Sequence, residues 1–121
     1  MVKTKKAFQL TSGDDLAPGD VCSIRSGESA FGAIKILLID QHVIHVRKFK
    51  NRFPQRPYDI NPASLSIGTI NDPDGLGVAH LPVSAAGFAS WMPARICRQE
   101  VTDEELEGYR CWLEDQNAVF D

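Results

Sequence analysis

The stretch that decides the fold is Gly19-Asp20-Val21-Cys22-Ser23-Ile24-Arg25, then Phe31-Gly32-Ala33-Ile34-Lys35-Ile36-Leu37-Leu38-Ile39, then Val43-Ile44-His45-Val46-Arg47-Lys48-Phe49. Each run is strand-sized and rich in β-branched or aromatic residues, and turn-forming residues separate them. Pro18-Gly19 punctuates the start, Ser26-Gly27-Glu28-Ser29 turns the chain, and Asp40-Gln41-His42 turns it again. Three strands with short links make a meander. Along the third, Val43, His45, Arg47 and Phe49 share one face, and Ile44, Val46 and Lys48 share the other. Gly32 inside the second strand marks a bulge or a close backbone approach.

Upstream, residues 1 to 18 read as a loose lead-in. Downstream, Pro54, Pro57 and Pro62 interrupt regular pairing because each lacks an amide donor. Leu65 to Ile70 reads as a returning strand, Asn71-Asp72-Pro73-Asp74-Gly75 as a turn, and Val78 to Val83 as an extended segment whose Pro82 suits a sheet edge. Ser84 caps a short helix near 84–91, which Pro93 ends, and Ala94 to Cys97 returns to the sheet. A C-terminal helix near 103–115 carries the clearest local signature: Thr102 and Glu105 form a capping box, and Val101 can staple against Leu106. Leu106, Tyr109 and Leu113 form its expected docking stripe, bordered by Trp112. The fold class is therefore α+β: a small, strongly bent antiparallel sheet or partial barrel of about five strands with two helices.

A chain of 121 residues suits one domain spanning 1–121. The formal net charge of −3 gives no global positive field for nucleic acid. The charge is unevenly placed, with a basic stretch at 47–56 and an acidic C-terminal region from Glu100 onward. No stretch reaches the roughly 18 apolar residues of a membrane helix. The three cysteines, Cys22, Cys97 and Cys111, cannot all pair within one chain, which points to a reducing, cytoplasmic location.

Chemistry-bearing groups are few. His42 and His45 lie three apart in extended chain, on opposite faces, so they should not share an ion; His80 can join one of them only by tertiary approach. Asp72 and Asp74 lack the later glutamate of a calcium loop. Gly75-Leu76-Gly77 lacks the context of a phosphate cradle. Ser84 follows His80 by four residues, but helix capping accounts for it. Cys22 and His45 could meet across neighbouring strands, without any glycine elbow or oxyanion signature. No cofactor, metal or catalytic residue is nominated. A small enzyme stays open as the third alternative.

The working surface is expected in the basic stretch: Arg47, Lys48, Lys50, Arg52 and Arg56, flanked by Phe53 and Tyr58. Cations interleaved with rings suit an acidic protein partner, and equally phosphates and bases. The bland account is an edge strand that uses lysine against aggregation, with Phe49 and Phe53 in the core. The acidic C-terminal helix is a competing surface. Trp91-Met92 and Trp112 offer another set of anchors, with core packing as their ordinary alternative.

The Gly19-Asp20-Val21-Cys22-Ser23-Ile24 strand followed by Phe31-Gly32-Ala33-Ile34-Lys35-Ile36-Leu37 resembles the opening of bacterial immunity proteins from polymorphic-toxin systems, whose members begin with a Gly-Asp-Val strand and a second strand of aromatic-glycine-x-hydrophobic type. The His80 to Ser84 and Glu105 to Trp112 blocks resemble bacterial genomic-neighbourhood proteins of unassigned role. The resemblance implies an SH3-like, bent β-sheet with helical additions and stoichiometric neutralisation of a toxin, with a protein partner and no catalytic residues. A nucleic-acid-binding module using 47–56 is the alternative.

Overall fold

The computed structural model describes residues 8–9, 15–40, 42–72, 75–114 and 119. Its strands are β1 (Phe8–Gln9), β2 (Asp15–Leu16), β3 (Asp20–Arg25), β4 (Phe31–Asp40), β5 (Val43–Lys48), β6 (Val78–Ser84) and β7 (Ala94–Arg98). Helix α1 spans Ala85–Ser90, and α2 spans Glu107–Glu114 after a 3-10 turn at Glu104–Leu106. β1 and β2 form a small antiparallel pair. The other five strands form an open antiparallel sheet in the order β6-β5-β4-β3-β7. The meander is present as read, the later extended segments flank it, and Pro82 sits on the edge strand opposite His45.

Strand alternation divides the side chains between two faces. On the first, Cys22, Ile24, Ile34, Ile36, Ile44, Val46 and Val83 join Leu16 and the fully buried Phe88 of α1 in the apolar core. Ser84 caps α1 by accepting a hydrogen bond from the Gly87 amide at 3.0 Å. Leu16 is fully buried, so the lead-in segment is fixed to the body by that point. The second face carries Lys35 and His45 and is covered by the C-terminal elements.

The capping box forms as expected. Thr102 N donates to Glu105 Oε1 at 2.9 Å, and Glu105 N donates to Thr102 Oγ1 at 3.2 Å. The docking stripe does not fall where the apolar residues suggested. Leu113 is half exposed, whereas Tyr109 and Trp112 both pack on His45. The 3-10 turn winds more tightly than an α-helix and so shifts the rotational phase of α2. The inward face becomes Glu105, Gly108, Tyr109 and Trp112. Gly108 is required there: a Cβ would overlap His80 Cβ.

Residues 65–70 also differ from expectation, as they form no strand. Gly68 takes a positive φ of +74°, and Asp72 Oδ2 accepts from the Thr69 amide, so the chain bends instead of extending. The segment still lies beside the sheet, with Lys50 N donating to Ser66 O and Gly77 N to Ile67 O. Pro73 and Asp74 of the expected turn, Gln41, and the last residue of the expected helix (115) lie outside the described residues, as do 1–7 and 10–14 of the lead-in.

Candidate interaction surface and the buried histidine pair

The fold distributes the seven candidate contact residues over different sites. Lys48, Lys50 and Arg52 line one shallow cleft with Phe49 and Leu76, close to Gly32 of β4. Arg52 is exposed, and Leu76 is 55% exposed. Lys50 Nζ pairs with Asp72 Oδ2 at 2.9 Å; hydrogen bonds from Lys50 and from the Thr69 amide hold the Asp72 carboxyl below its ordinary range. Arg56 is an anchor: its Nη1 donates to Ser23 Oγ at 2.7 Å, and its guanidinium lies 5.0 Å from the Phe31 ring centroid. Phe53 exchanges backbone hydrogen bonds with Phe31, both at 2.8 Å. Tyr58 is 86% exposed. Arg47 alternates to the second face, away from Lys48. β5 is not an edge strand, since β4 and β6 pair with its two sides. Protection of a sheet edge therefore does not explain its lysine and arginine.

The remaining aromatic anchors are partly absorbed by packing. Trp91 is half-buried against the core and lies edge-on to Phe88, while Met92 stays exposed at a positive φ of 54°.

A second cleft opens between the covered face and the Thr102 turn. Lys35, Arg47, Gln99, Glu100 and Glu104 line it, together with Glu105. Lys35 is only 3% exposed, and its Nζ is fully engaged: Glu105 Oε1 and Oε2 accept at 2.9 and 3.2 Å, and the Glu100 carbonyl at 2.8 Å. Burial pushes the Glu105 carboxyl up, but the hydrogen bonds from Thr102 and Lys35 outweigh it and leave it below the usual range.

Between β5, β6 and α2, His80 makes the tertiary approach that the sequence left open, and its partner is His45. His45 is fully buried, and its Nδ1 stands 2.9 Å from His80 Nε2, the two rings stacked 5.1 Å apart. Tyr109 and Trp112 meet His45 edge-on, with centroids at 4.7 and 4.6 Å. One proton serves the nitrogen pair, and His45 Nε2 has no hydrogen-bond partner among the described residues. Burial, then the neighbouring His80, depresses the His45 imidazole to about 4, and burial also lowers His80. Burial and the Asp40 carboxylate raise the Tyr109 hydroxyl. The signal was present in the strand register. His45 faces Pro82, so His80 is its diagonal neighbour on the same face, within cross-strand reach.

The thiol–imidazole couple considered from sequence does not form. Cys22 belongs to the first face, His45 to the second, and burial pushes the Cys22 thiol up to about 12. Ser84 is engaged as the α1 cap. Among the described residues no group of three histidine, cysteine or acidic side chains could hold a metal ion, and no helix is long and apolar enough to cross a membrane. Asp20, whose charge adds to the rise of the Cys22 thiol, is fully buried and flanked by two arginines: Arg95 Nη1 is 3.4 Å from Oδ2, and Arg98 Nε is 3.3 Å from Oδ1, though not aligned for a hydrogen bond.

No family model, curated protein or solved structure matches this chain.

Proposed function

We propose that this protein is a non-catalytic cytoplasmic binding protein of the immunity type, which neutralises a toxin by stoichiometric binding through the surface around Lys48, Lys50 and Arg52. The observation that carries the reading is the shared cleft in which these cations surround the exposed side chain of Leu76. Mixed cationic and apolar surface suits a protein face that offers carboxylates and apolar side chains together. Tyr58 and Ile70, 86% and 85% exposed, add apolar area of the kind that binding surfaces carry. Arg56 and Phe53 then act by fixing the loop that presents Tyr58, and Arg47 belongs to a separate site.

The finer shape fits the same reading. Register shifts at Val21/Cys22, Ile36/Leu38 and Val46/Lys48 put an irregularity in three of the sheet's ladders. Bulges bend strands and increase twist, which supports a strongly curled, SH3-like partial barrel.

The test is affinity capture by the intact protein and by a Lys48→Glu/Arg52→Glu variant. A single polypeptide retained stoichiometrically by the first and lost by the second supports the reading. A polypeptide held equally by both overturns the assigned surface. Saturable binding of generic DNA or RNA that weakens steeply with salt would replace the protein partner with nucleic acid.

A further inference from the structure

We propose that Arg47 is the centre of a binding site for a singly charged carboxylate, in the cleft between the covered sheet face and the Thr102 turn. This site is independent of the cleft around Arg52.

Lys35 of β4 and Arg47 of β5 are direct cross-strand partners, so two cations face each other on one side of the sheet. Like charges directly opposite are destabilising. The fold resolves half of the conflict: Glu105 and the Glu100 carbonyl satisfy Lys35. Arg47 receives nothing comparable. It is half-buried, its side chain makes no ion pair or hydrogen bond among the described residues, and its Nε is shielded from solvent without an acceptor. An N–H buried in that state is costly and uncommon in a native protein.

Glu105 is not free to serve both cations. Its two oxygens are committed to Lys35, and Oε1 also accepts from Thr102 N and Oγ1. The cleft beside Arg47 is broad and open to solvent, with a volume of about 470 Å³, enough for a small anionic group. The charges lining it select the anion. Lys35 and Arg47 are opposed by Glu100, Glu104 and Glu105, so the lining sums to one negative charge. A dianionic phosphate meets twice the net repulsion that a singly charged group meets there. A carboxylate brings one charge and two coplanar acceptors, which match the guanidinium fork.

The site is tested on the intact protein by following the Arg47 Nε–H resonance by NMR while sodium acetate is added at constant ionic strength, with sodium chloride and inorganic phosphate as parallel arms. The expected result is a saturable acetate-dependent shift, absent with chloride, weaker with phosphate and lost for the backbone signals around residue 47 in Arg47→Gln. A capped glutamate added in a further arm distinguishes a carboxylate borne on a polypeptide from a free small acid: tighter binding than acetate assigns the former, equal or weaker binding the latter. The proposal is overturned if acetate acts no differently from chloride, if phosphate binds more tightly, or if Glu104→Gln moves the Arg47 signal without any ligand, which would reveal an internal partner. The wild-type titration decides even if the Arg47→Gln variant does not fold.

Discussion

Acidification should uncouple α2 from the sheet through His45. This imidazole is sealed between β5, β6 and α2, faced by His80, Tyr109 and Trp112, with Arg47 two residues along its own strand and Asp40 acting on Tyr109. Its folded value is about 4 against an ordinary 6.5. Because the folded value is the lower one, the unfolded chain binds more protons through the window between them. The stabilisation is complete above about pH 6.5 and is lost as pH falls toward 4. The full shift corresponds to about 3 kcal/mol, of which about 2 kcal/mol is gone by pH 5. His80 is shifted in the same direction and adds to the slope. Glu105 and Asp72 are depressed below 4.5 and 3.8, so their losses belong to more acidic solutions. Urea unfolding between pH 7 and 5, read by tryptophan fluorescence because Trp112 lies on His45, measures the loss directly. His45→Phe should flatten most of it. Stability that is level across this range in the wild type, or a slope retained in full by His45→Phe, would refute the reasoning.

Three further outcomes rest on the packing. Gly108→Ala should destabilise despite a gain in helix propensity of about 1 kcal/mol, because the new methyl meets His80 near its backbone; overpacking costs roughly 1–3 kcal/mol, here toward the upper end, and thermal unfolding should show it. Glu105→Leu should cost about 3 kcal/mol by stranding the buried Lys35, and Lys35→Met/Glu105→Leu should recover most of that in urea unfolding; no recovery would mean that capping by Glu105, rather than ion pairing, dominates. A thiol reagent followed by mass spectrometry should label the exposed Cys111 in the native protein and Cys22 only on unfolding, since Cys22 is fully buried with a raised thiol; prompt labelling of Cys22 would show that the core face opens.

Much of the fold was legible because it is written in local patterns. Alternation along the third meander strand is enough to put Ile44 and Val46 on one face and His45 and Arg47 on the other, and the Ser84 and Thr102 caps rest on side chains three residues from their partners. Errors arose where a local pattern competed with geometry set elsewhere. Leu113 fits a heptad-like stripe, but the 3-10 turn and the contact of Gly108 with His80 rotate Trp112 inward in its place. Leu65 to Ile70 has strand-like residues, yet Gly68 and Asp72 bend it. The basic stretch reads as one patch, but strand alternation sends Arg47 to the face opposite Lys48, Asp72 pairs Lys50, and Ser23 holds Arg56. The histidine pair depends on which strands adjoin. Composition carries no trace of that.

The pairing of β7 with β3 has a consequence for biogenesis. β3 lies near the beginning of the chain, but its outer hydrogen-bonding edge is closed only by residues 94–98. Until that late segment has left the ribosomal tunnel, β3 presents an open edge and Asp20 is deprived of Arg95 and Arg98. Such contacts between distant parts of the chain slow folding and leave nascent species prone to edge-to-edge association. Translation that stalls before residue 94 would release a fragment with sticky margins, so the protein's cellular yield should depend on chaperone supply as well as on its final stability.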